Sequence, residues 1–574
     1  MTEYDPVTLE VVRNAVRTTA EEMGVILTRT AYSTNIKDRK DHSCAVYSRD
    51  GELVAQAEHI PLHLGMMPSA VKAAIEEVDD LRPGDSIMHN DPYLSGSHLP
   101  DVMIFTPVFH AGRRIGIVGN LAHHVDVGGA VPGSTSTEAT EIFQEGIRVP
   151  PVKIRKEGEV DRELVDVFLH NVRTREVSRG DLSAQIASTL KGQEDVEALG
   201  EKYGPETVVE YMDGIMDYSE ERMRASIAEI DDGTGSFTDH IEGDGVVPES
   251  EDIPIRAQIE IRGDEIDVDF AGTSKETEGP LNAVRPLTLA CVYFVAKAVV
   301  DPDLPTNDGA YRPINVHTPE GTVVNATFPS PTGNANAITS QRVVDALLGA
   351  FKEIVPDRVM AACSGTMNGI MIGGAKPDSE ELYSYVETYG GGQGAMPDLD
   401  GMDGVHTNMT NTRNAPVEVL ENTYPFTIER YELVEDSEGA GRHRGGVGMT
   451  REIRLHNEVT LTVGTDRRRR SPWGAFGGLD AASTEISLVH RDGTREAVGT
   501  KAVHDIEPDT KFVFRTAGGG GWGDPLSRPP KKVVRDVQDG IVSEERAESV
   551  YGVIVEDGEL DADATEMLRA DRRD

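Results

Sequence analysis

The chain has 574 residues, which suggests about three to five domains, and 38% of them are hydrophobic, enough for a packed core. Its formal net charge is −43, from 99 Asp and Glu against 56 Lys and Arg. A surface this acidic argues against binding nucleic acid or an anionic membrane, because both need a basic surface. The acid is spread along the chain, so we interpret it as adaptation to a salty, halophilic cytoplasm; an ordinary acidic cytosolic protein is the alternative.

The cysteine content and the apolar pattern indicate a soluble, cytoplasmic protein. Cys44, Cys291 and Cys363 are too few to make a disulfide framework. Their small or apolar neighbours predict buried side chains, not nucleophiles. The acidic N-terminus lacks the apolar core of a signal peptide. No apolar run reaches the roughly 18 residues of a membrane span.

Hydrophobic periodicity predicts alternating groups of helices and strands. Helices are predicted over 6–30, about 68–79, most of 160–230, about 283–299, about 340–353 and after Pro530. Strands are predicted as a hairpin over 43–57, near 102–109 and 115–121, within 236–275, and as short strands between glycine-rich turns over 360–520. We therefore predict a multidomain α+β fold with mixed sheets and helices. Its regions are an N-terminal metal-site region (1–235), a central α+β domain (236–360), a glycine-rich, β-rich domain (361–530) and a helical tail (531–574).

Polar residues that serve in catalysis are concentrated in two loops, 89–101 and 120–129, on either side of the predicted strands. Two histidines and one carboxylate commonly bind a divalent transition metal and leave positions open for water or substrate. His98 and Asp101 belong to one turn, which can direct both side chains to one ion. His123 and His124 point to opposite sides if the strand continues, so we expect only one of them to be a ligand. Asp41 is a possible fourth ligand.

Three other patterns have plainer explanations. Residues 518–523 contain GxGxxG, but Asp524-Pro525 follows where a dinucleotide site requires a helix. Residues 398–404 resemble a calcium loop, yet Met402 and Asp403 break the pattern, which favours a solvated acidic turn. The basic run 466–470 is read as a solvated or salt-bridged loop, with a partner's acidic face or a phosphorylated intermediate as the alternative. The chain has no GxxxxGK[ST] phosphate-binding loop.

The sequence resembles the hydantoinase B / 5-oxoprolinase family over nearly the whole chain. That family includes N-methylhydantoinase beta subunits, the C-terminal half of 5-oxoprolinase and the alpha subunit of acetone carboxylase. The resemblance rests on ordered motifs in the segments 90–93 (NDPY), 96–101 (GSHLPD), 123–129 (HHVDVGG), 171–173 (NVR), 180–185, 307–313, 331–334 (PTGN), 387–392 (ETYGGG), 410–414 (TNTRN) and 516–525. These motifs do not specify the substrate.

The resemblance implies a metal site and a partner. Family members carry a divalent metal in this subunit, and the matching positions are His98, Asp101 and His123, with Asp41 a plausible addition. Zn, Mn or Fe would suit such ligands. The partner is a hydantoinase A-type subunit with an actin-like ATPase fold, which uses ATP to phosphorylate the substrate carbonyl. His124 and Asp126 are expected as catalytic groups that orient ligands or move protons.

The expected function is therefore ATP-dependent opening of a hydantoin or 5-oxoproline ring, by a hetero-oligomer in which this chain handles the phosphate-activated intermediate at a divalent metal. Two alternatives stay open. In the first alternative, the chain is an acetone carboxylase-like alpha subunit, although such subunits are longer than this chain and need a third small subunit. In the second alternative, it is a non-catalytic scaffold for the ATPase partner. The predicted metal ligands argue against this scaffold role.

Overall fold

The computed structural model of the protein describes residues 4–57, 60–96, 98–247, 251–377 and 379–572. The helices are α1 (Pro6–Thr30), α2 (Thr34–Lys37), α3 (His63–Glu77), α4 (Pro92–Ser95), α5 (Arg162–His170), α6 (Arg175–Tyr203), α7 (Pro205–Ile227), α8 (Arg285–Val300), α9 (Asp308–Tyr311), α10 (Ser340–Phe351), α11 (Val417–Thr423), α12 (Pro530–Gln538), α13 (Glu544–Ser549) and α14 (Ala562–Asp571). None of the helices in the described ranges is long and apolar enough to cross a lipid bilayer.

The strands, in chain order, form the sheets that organise the molecule. They are β1 (His42–Tyr47), β2 (Leu53–Ala57), β3 (Ser86–His89), β4 (Asp101–His110), β5 (Arg113–His123), β6 (Val152–Lys156), β7 (Glu159–Val160), β8 (Gly233–Ile241), β9 (Ile253–Arg262), β10 (Glu265–Asp269), β11 (Ile314–His317), β12 (Gly369–Ala375), β13 (Leu382–Thr388), β14 (Phe426–Leu433), β15 (Met449–Leu455), β16 (Val459–Gly464), β17 (Glu485–Val489), β18 (Arg495–Ala497), β19 (Lys501–Ile506), β20 (Lys511–Arg515), β21 (Ile554–Glu556) and β22 (Glu559–Asp561).

The first sheet has seven antiparallel strands in the order β2-β1-β5-β4-β3-β6-β7. Helix α1 begins cleanly because the Asp5 carboxylate accepts a hydrogen bond from the Thr8 N–H and Pro6 occupies the first turn. The apolar face of α1 packs against α6 and the outer strands. The two helices approach so closely that a Cβ at Gly192 would lie 2.3 Å from Met23 Sδ. This sheet carries the two loops in which the sequence concentrates His and Asp.

The second sheet, in the order β11-β10-β9-β8, has one parallel pair, β10 with β11. Its strands alternate buried and half-buried residues, as the sequence pattern predicts, because one face packs against α10. The largest hydrophobic cluster contains side chains from both the first and the second sheet. This core contains residues from both sides of residue 235, the predicted boundary between the first two regions. The proposed division into four regions stays a prediction.

Two further sheets, β13-β12-β16-β19 and β14-β15-β20-β17-β18, share one hydrophobic core. The tail contains α12, α13, α14 and the β21-β22 hairpin, with a small core of its own. The mixed, multidomain α+β fold predicted from the sequence is confirmed. One boundary was wrong: the helix expected from residue 68 begins at His63. Pro68 suggests a helix start because proline suits a first turn, but here it lies inside α3.

The glycine-rich loop, the calcium-like loop and the cysteines, to which the sequence analysis gives plain structural explanations, have structural roles in the fold. The loop 518–523 is held by backbone hydrogen bonds, for example from Gly519 N–H to the Gly446 carbonyl at 2.9 Å. A short 3₁₀ turn, Pro525–Ser527, follows it where a dinucleotide site would need a helix. Asp400 of the calcium-like loop binds Arg528 at 2.6 Å. All three cysteines are buried and unpaired.

A buried ionic network joins the second sheet to the glycine-rich region. It contains three acids and three bases, all nearly shielded from solvent: Asp239, Arg342, Asp345, Asp466, Arg467 and Lys501. The shortest contacts are Arg467 to Asp345 at 2.6 Å and Arg342 to Asp466 at 2.8 Å. Arg467 belongs to the basic run 466–470, and Arg469 and Arg470 of that run pair with Asp252. The run is therefore a salt-bridged loop, as the plainer interpretation predicts.

We expect Arg467→Met to lower the free energy of unfolding by roughly 3–5 kcal/mol, because it leaves buried carboxylates without their partner. The matched control is Arg469→Met, which removes an exposed partner of Asp252 and is expected to change stability by less than about 1 kcal/mol. Urea denaturation followed by circular dichroism measures both. An equal decrease in the free energy of unfolding for the two variants would contradict a stabilising role for the buried network.

Candidate metal centre

The two predicted loops meet at one edge of the first sheet. Asp101 is the first residue of β4 and His123 the last of β5, and the antiparallel register places them directly opposite each other. Paired residues project their side chains from the same face of a sheet. His98 precedes β4 in a tight turn, closed by a hydrogen bond from the Asp101 N–H to the His98 carbonyl at 3.0 Å. The sequence neighbour Ser97 lies outside the described residues.

The side chains of His98, Asp101 and His123 form a compact, buried donor cluster. One ligand atom from each residue lies within 4.8 Å of the others. His98 Nε2 is 3.5 Å from Asp101 Oδ2, and the two imidazole rings stand 4.9 Å apart at 67°. None of the three residues is more than 7% exposed. Two imidazole nitrogens and a carboxylate oxygen at these separations fit one divalent cation with positions left open for small ligands.

A hydrogen bond fixes which nitrogen of His98 faces the cluster. His98 Nδ1 lies 3.0 Å from the carbonyl oxygen of Gly333. Because a carbonyl only accepts, Nδ1 carries a proton, and Nε2 is the nitrogen that faces Asp101. The Gly333 N–H in turn donates to Glu145 Oε1 at 2.8 Å. The buried Glu145 carboxylate therefore holds the peptide that orients His98.

The other two members of the cluster are also held by buried amides. Asn336 Nδ2 donates to Asp101 Oδ2 at 3.2 Å, from a π-helical turn spanning Ala335–Thr339. Asn35 Nδ2 lies 3.1 Å from His123 Nδ1. π-Helical turns are rare and often occur at functional sites. Side chains that are locked in this way keep the donors in place without a bound ligand.

The buried charges interact strongly. Burial alone would lower the pKa of His98, but the Asp101 carboxylate outweighs it and the pKa of His98 is raised. Burial opposes ionisation of Asp101, yet the nearby histidines, His98 first, hold its pKa well below the usual value. Burial and then the charge of His98 lower the pKa of His123 to about 3. These opposite shifts show an ionised carboxylate next to imidazoles of different basicity.

Asp41, the predicted fourth ligand, lines the same cavity but lies outside the three-residue donor cluster. Burial raises its pKa to about 6, against the opposing charge of Arg39. The cavity measures about 60 Å³ and is lined by parts of all three large regions: Arg39, Asp41, Ile60, Leu62, His63, His98, Asp101, His123, Asn336, Ala337, Met367, Val386, Thr388, Thr410 and Thr412. A space of this size holds a few water molecules.

The structure does not bring His124 and Asp126 to this cavity. His124 points away from His123, as strand alternation predicts, with its Nε2 3.0 Å from Gln185 Oε1 and its ring against Phe168. The Asp126 carboxylate is saturated by the backbone N–H groups of its own loop and by the Arg173 guanidinium at 3.0 Å. Both side chains support the loop that follows His123. A catalytic role for them stays a prediction to which this geometry adds nothing.

Sequence reasoning missed four residues of the site: Arg39, His63, Glu145 and Asn336. His63 lines the cavity and contacts Ser43 (Nδ1 to Oγ, 2.7 Å). Arg39 lies two residues before the predicted ligand Asp41, and Asn336 lies two residues after the 331–334 motif. Their positions near these predicted features could have indicated them. Nothing local distinguishes Glu145 or His63, because their roles depend on contacts between segments far apart in the chain.

Fold and site together define a multidomain α+β protein with a buried two-histidine, one-carboxylate centre. The model of the hydantoinase B/oxoprolinase family matches residues 5–525, and the chain belongs to this family. An uncharacterized protein of Methanocaldococcus jannaschii is 42% identical over 98% of this chain and 100% of its own. The caprolactamase subunit beta of Pseudomonas jessenii is 32% identical over 99% of this chain and 100% of its own.

Two solved structures share the fold. The crystal structure of the ATP-dependent caprolactamase from P. jessenii has a TM-score of 0.91 at 32% identity and covers 99% of this chain and 100% of that chain. Nucleotide-free acetone carboxylase has a TM-score of 0.92 at 21% identity, covering 99% of this chain and 83% of that chain. At that identity the second likeness shows the fold alone. The chain is thus a hydantoinase B-like protein, in a family of ATP-dependent cyclic amide hydrolases.

We expect the full-length protein, purified in high salt, to contain near-stoichiometric Zn, Mn or Fe by elemental analysis. Asp101→Asn keeps the shape of the side chain but removes its charge, and should lower the metal content to about a tenth or less. The control is His110→Ala, at the half-exposed end of β4, which should retain the metal. A well-folded wild-type protein without metal would count against the centre.

Glu145→Gln tests the peptide that orients His98. Burial raises the pKa of Glu145 to about 7, so above that pH the hydrogen bonds from the Thr332 and Gly333 N–H groups reach an anion. The substitution keeps the side-chain volume but removes this charge, which weakens both bonds. We expect metal affinity, measured by competition with a chelator, to fall about 10-fold, the lower end of the range for groups that support ligands. An unchanged affinity would show that the position of His98 does not depend on Glu145.

Proposed function

We propose that the protein is the metal-dependent subunit of an ATP-dependent cyclic amide hydrolase, working with a hydantoinase A-type ATPase subunit in a hetero-oligomer. Its substrate class is a hydantoin, 5-oxoproline or related lactam ring. The observation that carries this proposal is the buried His98, Asp101 and His123 cluster in a chain of this family. The caprolactamase relative named as subunit beta supports a division of the reaction between subunits.

The division of labour follows from the chemistry of amides. Resonance makes a ring amide a poor electrophile, and phosphorylation of its carbonyl oxygen, at the expense of one ATP, makes the carbonyl carbon open to attack by water. Cleavage of the ring C–N bond then releases the amine and leaves an acyl phosphate, which a second water hydrolyses to a carboxylate and inorganic phosphate. The chain has no P-loop motif, which agrees with ATP being bound by the partner subunit. The present chain then receives the activated ring for attack by water.

His98, Asp101 and His123 would hold the divalent ion, and all three side chains line the cavity. A divalent cation there would supply Lewis acidity and lower the pKa of water towards about 7. The protein residues contribute position and environment. Asn35, Asn336 and the Gly333 carbonyl hold the three side chains in position, and burial keeps bulk water from a phosphorylated intermediate.

The cavity must widen to accept a ring. Its volume of about 60 Å³ suits a few water molecules and is too small for an intact ring beside a metal ion. One wall comes from the first sheet and the other from Val386, Thr388, Thr410 and Thr412 of the glycine-rich region. We infer that these walls separate when a ring enters the cavity.

The test is reconstitution of the full-length protein with its ATPase partner. We expect ATP-dependent opening of 5-oxoproline, a hydantoin or caprolactam, measured by product formation. Asp101→Asn should lower the ring-opening rate at least about 100-fold, while His110→Ala leaves it unchanged. Full activity of Asp101→Asn would favour the scaffold alternative. Bicarbonate-dependent carbon–carbon bond formation, without ring opening, would favour the carboxylase alternative.

A further inference from the structure

We propose that Arg39 is the anion-recognition residue of the cavity: one edge of its guanidinium, formed by Nε and Nη2, binds a carboxylate or phosphoryl group of the ligand beside the His98, Asp101 and His123 cluster. The inference deepens the proposed function and rests on it. It restricts the substrate class to rings that present an anionic oxygen in this cavity, either as a carboxylate substituent or as the phosphate added during activation.

The position of Arg39 supports this role. Its side chain is 2% exposed and lines the cavity together with all three members of the donor cluster. Nη1 donates to Asn35 Oδ1 at 3.1 Å and to the Val386 carbonyl at 2.8 Å, and Nη2 donates to Thr388 Oγ1 at 2.9 Å. The guanidinium is thus anchored on both sides of the cavity. Such anchoring fixes the plane of the group before a ligand arrives.

The donors that remain lie along one edge. Nε is shielded from solvent and has no hydrogen-bond partner among the described residues. Nη2 has a second N–H, and the nearest carboxylate oxygen, Asp41 Oδ2, is 4.0 Å away, beyond hydrogen-bond distance. Nε and Nη2 form the fork that engages two oxygens of a carboxylate or phosphate at once. The Nε atoms of Arg342 and Arg467 are also buried without a partner in the described part of the chain, but Arg39 in addition lines the cavity, so its free edge is available to a ligand.

The charges around the cavity also favour an anion. The charged side chains among its described lining residues are Arg39, Asp41 and Asp101, together with any protonated histidine. A divalent cation added to this set leaves an excess of positive charge in a buried space. Such an excess is expensive unless an anion compensates for it.

The experiment measures binding to the full-length, divalent-metal-loaded protein by isothermal titration calorimetry, without ATP or partner. The probes are 5-oxoproline, its neutral analogue 2-pyrrolidinone, and orthophosphate. Arg39→Lys retains the positive charge but loses the two-donor edge. The control is Arg413→Lys, the same substitution at an exposed arginine. Metal content and circular dichroism of each variant report whether the site and the fold are intact.

We expect at least one anionic probe to bind wild-type protein more tightly than 2-pyrrolidinone, and Arg39→Lys to weaken that binding at least about 10-fold, as for loss of a hydrogen bond between charged groups. Arg413→Lys should leave it unchanged. Tighter binding of 5-oxoproline identifies a carboxylate substituent as the source of the anion. Binding of orthophosphate without preference for 5-oxoproline identifies the phosphoryl group.

Two results would overturn the proposal. In the first, 2-pyrrolidinone binds wild-type protein as tightly as both anions, which needs no variant to interpret. In the second, an anion binds Arg39→Lys and wild-type protein equally, so that the metal alone carries the affinity. In either case, metal content and reconstituted ring opening still decide the proposed function independently.

Discussion

The removal of charge from water is the constraint on which the architecture depends. Six charged side chains from β8, α10, β19 and the loop after β16 are buried together, three of each sign, and their contacts join the second sheet to the glycine-rich region. Such a network is tolerable only because every charge has a partner. The cavity is arranged differently: there, Asp41 Oδ2 lies 4.0 Å from Arg39 Nη2, beyond hydrogen-bond distance. The first set of charges joins two parts of the protein, and the second is the set to which we assign ligand binding.

The candidate centre depends on the regularity of the first sheet. Direct pairing of Asp101 with His123 puts a carboxylate and an imidazole side by side, and the turn before β4 brings His98 to the same point. The sheet alone would not fix the donor atoms. Buried amides and one backbone carbonyl from other segments do that. This arrangement of ligands on strand ends, with supporting groups from elsewhere, is typical of sites that must keep their geometry while ligands exchange.

Much of the fold could be predicted from the sequence, since local periodicity determines it. Helix α1 begins at Pro6 and the β1–β2 hairpin turns near Gly51 as the pattern indicates, and the His98, Asp101 and His123 cluster lies in the two predicted loops. The contributions of Glu145 and His63 were not predictable, because they arise from contacts with segments 188 residues or 20 residues away. The cavity itself was also beyond prediction, since three distant regions form its walls. Halophilic adaptation and cytoplasmic location stay predictions from composition.

The long sequence distance across the cavity has a consequence for biosynthesis. Its walls include Arg39 near the start of the chain and Thr412 far beyond the middle. A growing polypeptide therefore has no such cavity until residue 412 has left the ribosome, and a fragment that ends earlier lacks one wall. The complete cavity is therefore a late product of synthesis, and its presence distinguishes longer chains from fragments truncated before residue 412.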